Sequence, residues 1–435
     1  MRRGAERACC WQRPPPCQGP RPPLLGGPGR WCAAVLRTRQ VADPSEESRG
    51  VLRTLSVRAF GEGADDKYWK KGNLLLLKAV TVRPDELFGS YLWVTGTSIV
   101  TRRYCRTFVD RVDSVLSGLA EVGTGTARFV VEVASNDGTF LRRFLERGWQ
   151  ALGVEPAGNI AEAAAASGVP TLTEFFGTEL ADGLRHEHGC ADVVVARNVI
   201  PHVANVHSVI EGLATIAGDR GVVVIEAHSA EVILDELHYD SIYHEHLFYF
   251  SLETLCSLCE RHGLYPFDVF KSPISGGSLV VFLSQHRYSP SSRLDAETDR
   301  VRHLETNSHS RWAAFASSAI EHAVALKEVV TEYSRSGKVV GYGASARSST
   351  MLNFAGITSV DVAAVIDQNE LKQGRLTAGT DIPIVSPEVG MGEVGSSDAI
   401  LLLAWNFEEE IVGLLRRSGF RGNIIVPLPR TIRIL

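Results

Sequence analysis

The chain contains 435 residues, of which 44% are hydrophobic and 22% charged, so two or three domains with a large core are expected. It has no run of about 20 apolar residues and a net charge of −5, which argue against a membrane-spanning helix and against a general nucleic-acid binder. The charge is uneven, because residues 1–40 hold eight Arg and one acid and carry +7, whereas the remaining residues carry −12.

The first 50 residues are predicted to be a disordered leader. Residues 1–40 hold seven of the 19 Pro, which oppose a helix, and few apolar residues in register. None of the four Cys in this segment belongs to a Cys-x-x-Cys pair, from which zinc sites usually start, so no metal is expected. An Arg-rich, acid-poor segment is also typical of organellar targeting, and an over-extended start codon is a third interpretation. We therefore expect a cytoplasmic protein, or an organellar one if the leader is a transit peptide.

A strand–helix–strand unit is predicted to begin at residue 128. Arg128–Ala134 is an apolar run rich in β-branched residues, which indicates a buried parallel strand. The turn Ser135–Gly138 precedes a helical pattern over Thr139–Glu146, and a second strand, Ala151–Val154, ends at Glu155. Because ligands bind at the carboxyl ends of parallel strands, the turn and this acid are expected at one binding edge.

The residues at this edge favour a cationic cofactor over a dinucleotide. A pyrophosphate is normally held by a Gly-x-Gly-x-x-Gly turn at a helix N-terminus, but this turn has one Gly, Gly138. Glu132 and Asp137 would repel a pyrophosphate and suit the sulfonium and ammonium groups of S-adenosylmethionine, while Glu155 can accept hydrogen bonds from a ribose diol. The turn therefore predicts S-adenosylmethionine; a doubly wound domain with a polar loop and no cofactor is the alternative.

The alternation of strands and helices continues to about residue 290. Short apolar strands are predicted at Thr171–Phe176, Asp192–Ala196 and Gly221–Glu226, each ending in polar residues. We assign residues 111–290 to one α/β domain, preceded by a lead-in over residues 51–110.

Four titratable or phenolic residues, from Tyr243 to His246, interrupt an apolar segment. Burying them costs on the order of several kcal/mol unless they are hydrogen-bonded or used. They could be a His-x-His metal pair (His244 and His246) without a third ligand fixed by sequence, satisfied core groups, or a general base with its orienting partners. The third interpretation is favoured, because imidazole titrates near neutral pH, a neighbouring carboxylate can fix its tautomer, and a Tyr hydroxyl can hold an enolate oxygen.

A second Rossmann-like sheet is predicted within residues 291–435. After a long amphipathic helix at Arg311–Gly337, its strands are expected at Lys338–Gly343, Val362–Asp367, Ala399–Trp405 and Asn423–Pro427. The turn after the first strand lacks the third Gly that NAD binding needs, while Ser345 and Arg347 at the start of the next helix suit a phosphate. The alternative is that Gly343 only permits close packing of strand and helix.

Seven short motifs occur in a recognisable order. They are Glu132-Val-Ala-Ser-Asn-Asp-Gly138, Gly153-Val-Glu-Pro156, Glu174-Phe-Phe-Gly177, Asn198-Val-x-x-His202, Tyr243-His-Glu-His246, Gly276-Gly-Ser-Leu279 and Gly341-Tyr-Gly-Ala-Ser345. From about Asp85 to its C-terminus the chain resembles the S-adenosylmethionine-dependent C-methyltransferases of deoxysugar biosynthesis, the sugar C3-methyltransferase family. The resemblance implies an α/β fold with two Rossmann-like, doubly wound domains, a methyltransferase domain and a C-terminal nucleotide-sugar-binding domain.

The resemblance also implies a reaction, in which a nucleotide-linked 4-keto-6-deoxysugar loses its C3 proton and the resulting enediolate carbon takes a methyl group. His246 would be the general base, Tyr243 and Glu245 would orient it and the sugar, and His202 would line the pocket. The family places an aromatic hydroxyl upstream, for which we choose Tyr91.

The ligand sites that the resemblance implies use the strand ends of both domains. The cofactor residues would be Glu132, Ala134, Ser135, Asn136, Asp137, Gly138, Glu155, Pro156, Glu174, Phe175 and Asn198. The nucleotide-sugar residues would be Gly343, Ser345, Arg347, Lys372, Trp405 and Asn406. No metal, membrane or nucleic-acid partner is expected, and the choice between monomer and homodimer stays open.

The chain departs from the family near its N-terminal end. Family members open with a small zinc domain built on two cysteine pairs, whereas Tyr68–Ala79 has no Cys, so the zinc module looks lost or degraded. Two other classes of function therefore stay open: a non-catalytic ligand-binding relative, and an S-adenosylmethionine enzyme that acts on another carbon acid or hydroxyl.

Deleting residues 1–40 is expected to leave methyl transfer intact, because this segment supplies no cysteine pair and no catalytic residue. The measurement compares turnover of the truncated and full-length chains at equal concentration. A large loss of activity would restore a zinc-binding or structural role for the segment.

Overall fold

A computed structural model describes residues 75–76, 88–89, 94–119, 128–392, 394–395 and 398–435. The predicted leader and Tyr91 lie outside these residues. In chain order the strands are β1 (Leu75–Leu76), β2 (Phe129–Val133), β3 (Gln150–Val154), β4 (Thr171–Leu172), β5 (Val193–Arg197), β6 (Val222–His228), β7 (Phe248–Tyr249), β8 (Tyr265–Ser272), β9 (Ser278–Ser284), β10 (Val339–Tyr342), β11 (Ala364–Ile366), β12 (Ile384–Val385), β13 (Ala399–Leu402), β14 (Asn423–Val426) and β15 (Arg433–Ile434).

Helices follow most of these strands. In chain order they are α1 (Ile99–Ser117), α2 (Leu141–Leu145), α3 (Gly158–Ala166), α4 (Thr178–His188), α5 (Val206–Ala217), α6 (Ala230–Glu236), α7 (Leu252–Glu260), α8 (Ser292–His303), α9 (His309–Ser336), α10 (Ala346–Ala355), α11 (Pro387–Gly392) and α12 (Glu408–Arg417). Within the described residues, no helix is long and apolar enough to cross a membrane.

The first large sheet has seven strands in the order β4-β3-β2-β5-β6-β9-β8. The strands β2 to β6 are parallel, and β9 and β8 continue the sheet in antiparallel pairing. Its faces are both buried, because alternate side chains of β2, such as Val130 and Val131, lie in two separate apolar clusters. The strand order reverses between β2 and β5, which is where doubly wound sheets bind their ligands.

The second large sheet has the order β12-β11-β10-β13-β14-β15 and is parallel except for β15. Its reversal of strand order lies between β10 and β13. A third cluster of buried side chains surrounds this sheet and includes residues of α6 and α9. These two sheets confirm the predicted α/β fold with two Rossmann-like, doubly wound halves.

Two features of the fold differ from or go beyond the sequence prediction. The antiparallel pair of β8 and β9 was not expected, because Pro266 and Asp268 interrupt the apolar pattern of β8. A two-stranded pairing of β1 with β7 joins Leu75 and Leu76 to Tyr249 and Phe248. The described residues all belong to one compact unit, so the domain boundaries at residues 110 and 290 stay predictions.

Candidate active site

The turn after β2 has an unusual backbone. Three of its residues adopt left-handed conformations, with φ of 54° at Ala134, 50° at Asn136 and 70° at Gly138. A side chain at Gly138 would meet Val169, whose nearest carbon would lie 2.8 Å from the added Cβ. Non-glycine residues rarely adopt this conformation, and such strain is typical of functional sites.

Glu155 holds this turn in place from the end of β3. Its carboxylate accepts hydrogen bonds from the main-chain N–H groups of Asn136 and Ala157, both at 2.9 Å. Burial raises the pKa of Glu155, and these two N–H groups oppose the shift. The turn residues Ser135 to Gly138 and Glu155 therefore meet at one edge, as the sequence predicted, with the partly buried Pro156 beside them.

Two buried oxygen atoms at the turn have no hydrogen-bond partner among the described residues. They are Ser135 Oγ and Glu132 Oε2, on side chains that are almost fully buried. A side chain at Gly153 would collide with Ser135 Oγ at 2.4 Å, so this hydroxyl needs a glycine opposite it. Unsatisfied buried acceptors are rare in native proteins, and a carboxylate oxygen of this kind suits a ligand with cationic and hydroxyl groups.

The other oxygen of Glu132 belongs to a buried charge network behind the turn. Arg197 donates from Nε to Glu132 Oε1 at 2.9 Å and from Nη1 to Glu226 Oε2 at 3.5 Å. Tyr104 donates to Glu226 Oε1 at 3.2 Å, and the guanidinium of Arg197 lies 3.1 Å from the ring centroid of Phe140. Burial raises the pKa of Glu132 to about 7, while Arg197 acts in the opposite direction.

The segment before α1 docks onto the turn. The N–H of Thr95 donates to Asn136 Oδ1 at 2.8 Å, and the N–H of Gly96 donates to Asp137 Oδ2 at 3.0 Å. A side chain at Gly96 would meet the same Asp137 oxygen at 2.5 Å. This contact brings the region just after Tyr91 to the turn, although Tyr91 itself is outside the described residues.

The remaining predicted cofactor residues follow β4 and β5. Glu174 and Phe175 are exposed, and 49% of Phe175 is accessible. Asn198 adopts φ of 51°, and its N–H donates to Glu226 O at 2.7 Å. Their roles toward a cofactor stay predictions.

His246 is held with a defined tautomer. Its Nδ1 lies 2.9 Å from the carbonyl oxygen of Ser241, which can only accept, so Nδ1 carries the proton. Its Nε2 is then the basic atom, 3.1 Å from the hydroxyl of Tyr243. The expectation that a neighbouring carboxylate fixes this tautomer is wrong, because a main-chain carbonyl does so.

His202 lies beside His246, with 4.7 Å between the ring centroids. Its Nδ1 bonds to the main-chain oxygen of Glu245 at 2.9 Å, and Leu247 N donates to Pro201 O at 2.8 Å. These contacts join the Tyr243–His246 segment to the end of β5. Burial lowers the pKa of His202 to about 4 and that of His246 well below its ordinary value, so both rings are neutral at pH 7.

The predicted nucleotide-sugar residues lie near the carboxyl end of the second sheet, but most already have protein partners. Ser345 is the N-cap of α10 and exchanges hydrogen bonds with Ser348. Lys372 Nζ donates to Ala344 O at 2.6 Å and bonds to Asp367 Oδ2 at 3.2 Å.

Gly343 and Asn406 occupy neighbouring turns of this sheet. Gly343 has φ of 100°, and a side chain there would lie 2.5 Å from Ala404 Cβ, in the turn that follows β13. Asn406 lies in the short 3₁₀ helix Trp405–Phe407 that follows β13.

Asp240 is a residue that the sequence analysis missed. It is fully buried, and it bonds to both Arg347 and Trp405, two of the predicted nucleotide-sugar residues. The sequence did offer a signal for Asp240, which is an acid within an apolar segment just before Tyr243. An acid that is buried there needs hydrogen-bond or ion-pair partners. The sequence analysis also missed Arg197 as the partner of Glu132 and Glu226 as the second carboxylate that Arg197 contacts.

A cavity of about 440 Å³ opens beside Trp405 and His238, with Lys271 and Arg300 on its wall. His238 Nε2 has no partner in the described residues, and its Nδ1 lies 3.2 Å from His228 Nε2. Among the described residues, no cluster of three or more His, Cys, Asp or Glu could hold a metal ion.

Two family models match the chain in tandem. Residues 103–268 match a methyltransferase domain, and residues 273–429 match the C-terminal domain of C-methyltransferases. Over 367 residues the chain is 32% identical to C-methyltransferase NovU of Streptomyces niveus, covering 82% of this chain and 85% of that protein.

Solved methyltransferase structures are also similar. Magnesium protoporphyrin IX methyltransferase of Synechocystis PCC 6803 with bound S-adenosylmethionine is 11% identical, with a TM-score of 0.32, over 57% of this chain and 100% of that chain. An S-adenosylmethionine-dependent methyltransferase of Clostridium acetobutylicum ATCC 824 is 7% identical, with a TM-score of 0.34, over 43% of this chain and 92% of that chain. On the tandem family matches and the identity to NovU, the chain belongs to the S-adenosylmethionine-dependent C-methyltransferases.

Proposed function

We propose that the protein methylates C3 of a nucleotide-linked 4-keto-deoxysugar, with His246 as the general base. The observation that carries the proposal is the fixed tautomer of His246, which presents a basic Nε2 beside the hydroxyl of Tyr243. A proton on a carbon next to a carbonyl is weakly acidic, and its removal needs a base and a donor for the enolate oxygen. Tyr243 and His246 are proposed to supply both within one turn of chain. In the structure the Tyr243 hydroxyl donates to His246 Nε2, so the sugar would take the place of this hydrogen bond.

The cofactor S-adenosylmethionine supplies an electrophilic methyl group on a sulfonium. The unpartnered Glu132 Oε2 and Ser135 Oγ fit its cationic and hydroxyl groups, and Glu155 is placed for the ribose. Glu155 already holds the turn through two main-chain N–H groups.

The protein groups account for each proton in the proposed reaction. His246 Nε2 takes the C3 proton, and the electron pair is delocalised onto the 4-keto oxygen, which the Tyr243 hydroxyl stabilises. The C3 carbon would then bond to the methyl carbon as the methyl–sulfur bond breaks and its electron pair stays on sulfur. S-adenosylhomocysteine would leave, and His246 would pass its proton to solvent, so the overall reaction releases one proton.

The C-terminal sheet is proposed to bind the nucleotide diphosphate. The N-terminus of α10 lies at this edge, and the ammonium of Lys372, which is paired with Asp367, lies beside it. The indole of Trp405 borders the adjacent cavity, whose volume of about 440 Å³ suits a small nucleotide sugar.

The proposal is tested with a nucleotide-linked 4-keto-6-deoxysugar in deuterated water. We expect deuterium to enter C3 and, with S-adenosylmethionine, a product methylated at C3, both followed by NMR and mass spectrometry. Methylation of a hydroxyl, or turnover without exchangeable C3 hydrogen, would support a different acceptor and contradict the proposal.

A further inference from the structure

The segment before the base is tied to the C-terminal sheet through one buried carboxylate, that of Asp240. Arg347 donates to it from Nε and Nη2, each at 3.0 Å, and Trp405 donates from Nε1 at 2.8 Å. Arg347 also donates from Nη1 to Ser275 O at 2.8 Å. A bidentate guanidinium and an indole N–H fix the direction of the carboxylate as well as its position.

The next residue in the chain holds the base. Ser241 O accepts from His246 Nδ1 at 2.9 Å and from the Tyr249 hydroxyl at 3.2 Å. Asp240 and Ser241 belong to the same 3₁₀ turn, Tyr239–Ser241. Because the two residues are adjacent in this short turn, a rotation of the whole turn that breaks the Asp240 contacts would also turn the Ser241 carbonyl away from the imidazole.

We propose that Asp240 is a positioning residue, which holds His246 in its reactive tautomer only while Arg347 and Trp405 are docked on its carboxylate. The role of His246 as the base rests on the function proposed above. The residues that the sequence assigned to the nucleotide sugar thus act on the base through Asp240, across 107 and 165 residues of chain. An ion pair with a merely structural role would affect stability without changing the imidazole.

The first variant is Asp240→Asn, with Asp268→Asn as its matched control. Asp268 is also buried and also accepts from an Arg, here Arg293, together with the Ser291 hydroxyl and the main-chain N–H of Val269. It lies on the edge strand β8, away from the Tyr243–His246 segment. Should Asp240→Asn fail to fold, Trp405→Phe removes the indole N–H that bonds to Asp240 and keeps one six-membered aromatic ring.

The substrate-free measurement is NMR of the full-length protein labelled with ¹³C and ¹⁵N in histidine, with His246 assigned from the spectrum of His246→Gln. In the wild type we expect the Nδ1–H tautomer. In Asp240→Asn the Nε2–H tautomer should gain population, while Asp268→Asn keeps the wild-type signal. An unchanged His246 tautomer in both Asp240→Asn and Trp405→Phe would overturn the proposal.

Kinetics supply the second measurement. With the 4-keto sugar, kcat for Asp240→Asn should fall about 10- to 100-fold, as expected for a misplaced reacting group, while the Kd of S-adenosylmethionine is unchanged. A lower kcat with an unchanged tautomer would mean that Asp240 serves the substrate through Arg347, which contradicts the positioning role. If the wild type does not turn over this sugar but the tautomer shifts, the proposed function fails and the positioning role stands.

Discussion

Replacing His246 with glutamine is expected to lower C3 proton exchange and methyl transfer by about 10²- to 10⁴-fold, the contribution that a general base usually makes. Glutamine keeps the size of the side chain and its hydrogen-bonding capacity, but it has no basic nitrogen to replace Nε2. The affinity for S-adenosylmethionine should not change, because the turn after β2 does not depend on this ring. Deuterium incorporation at C3 and calorimetry with S-adenosylmethionine measure the two effects separately.

His244→Gln is the control for this substitution. His244 lies two residues away and is exposed, and its ring meets that of Tyr243 edge-on, with 6.4 Å between the ring centroids. We expect its exchange and transfer rates to stay within about twofold of the wild type, because surface substitutions are close to neutral. Unchanged exchange at C3 in His246→Gln would show that another group is the base.

The pH dependence of the reaction follows from the environment of His246. Burial lowers the pKa of His246 well below its ordinary value, and the nearby rings of His202 and His228 lower it further. The active form of the base is the neutral ring, so activity is lost as pH falls through this lowered pKa. In a plot of kcat/KM against pH, the decrease on the acid side should therefore lie below pH 6.5. Near neutral pH, kcat/KM should not change with pH.

Replacing Arg197 with methionine is expected to destabilise the fold by about 3 to 5 kcal/mol, because it leaves buried carboxylates without their cation. Glu132 and Glu226 are 1% and 0% exposed, and Arg197 is the cation that contacts both. Its guanidinium also lies against the ring of Phe140, so methionine replaces part of the packing but none of the charge. Urea unfolding of the two proteins measures the difference.

The control is Arg302→Met, which breaks an ion pair with Asp299 whose two side chains are 70% and 68% exposed. Exposed pairs contribute about 0 to 1 kcal/mol, so this variant should unfold close to the wild type. A loss in Arg197→Met no larger than in the control would mean that the two carboxylates are protonated or hydrated in the fold.

The pH dependence of Arg197→Met has a defined sign. Burial raises the pKa of Glu132 to about 7 in the folded protein, above its ordinary value of 4.5, and loss of Arg197 should raise it further. A carboxyl whose pKa is higher in the folded protein than in the unfolded chain stabilises the folded state at low pH. This contribution to the free energy of unfolding is lost as pH rises from about 4.5 through the pKa of the folded protein. The variant should therefore be closest to the wild type near pH 5 and furthest from it near pH 8.

Local sequence patterns were enough to predict several strands, one binding turn and the segment of the candidate base. Strands such as Arg128–Ala134 are apolar runs whose burial on both faces needs no long-range information, and the structure places them as expected. The turn Ser135–Gly138 and Glu155 were predicted to meet because parallel strands end at one edge. The segment Tyr243–His246 was predicted to be functional because burying its polar residues costs free energy unless they are hydrogen-bonded or take part in chemistry.

Tertiary structure decided which groups hold the functional side chains. Ser241 rather than a carboxylate fixes the tautomer of His246, and Asp240 joins Arg347 and Trp405 across 107 and 165 residues of chain. Ser345, predicted as a phosphate ligand, is also the cap of its own helix. These outcomes depend on the packing of one sheet against distant loops, and side-chain type alone does not specify a partner that far away in sequence. The sequence therefore determined the fold and the chemistry of the candidate base, whereas the structure decided its orientation and the groups that control it.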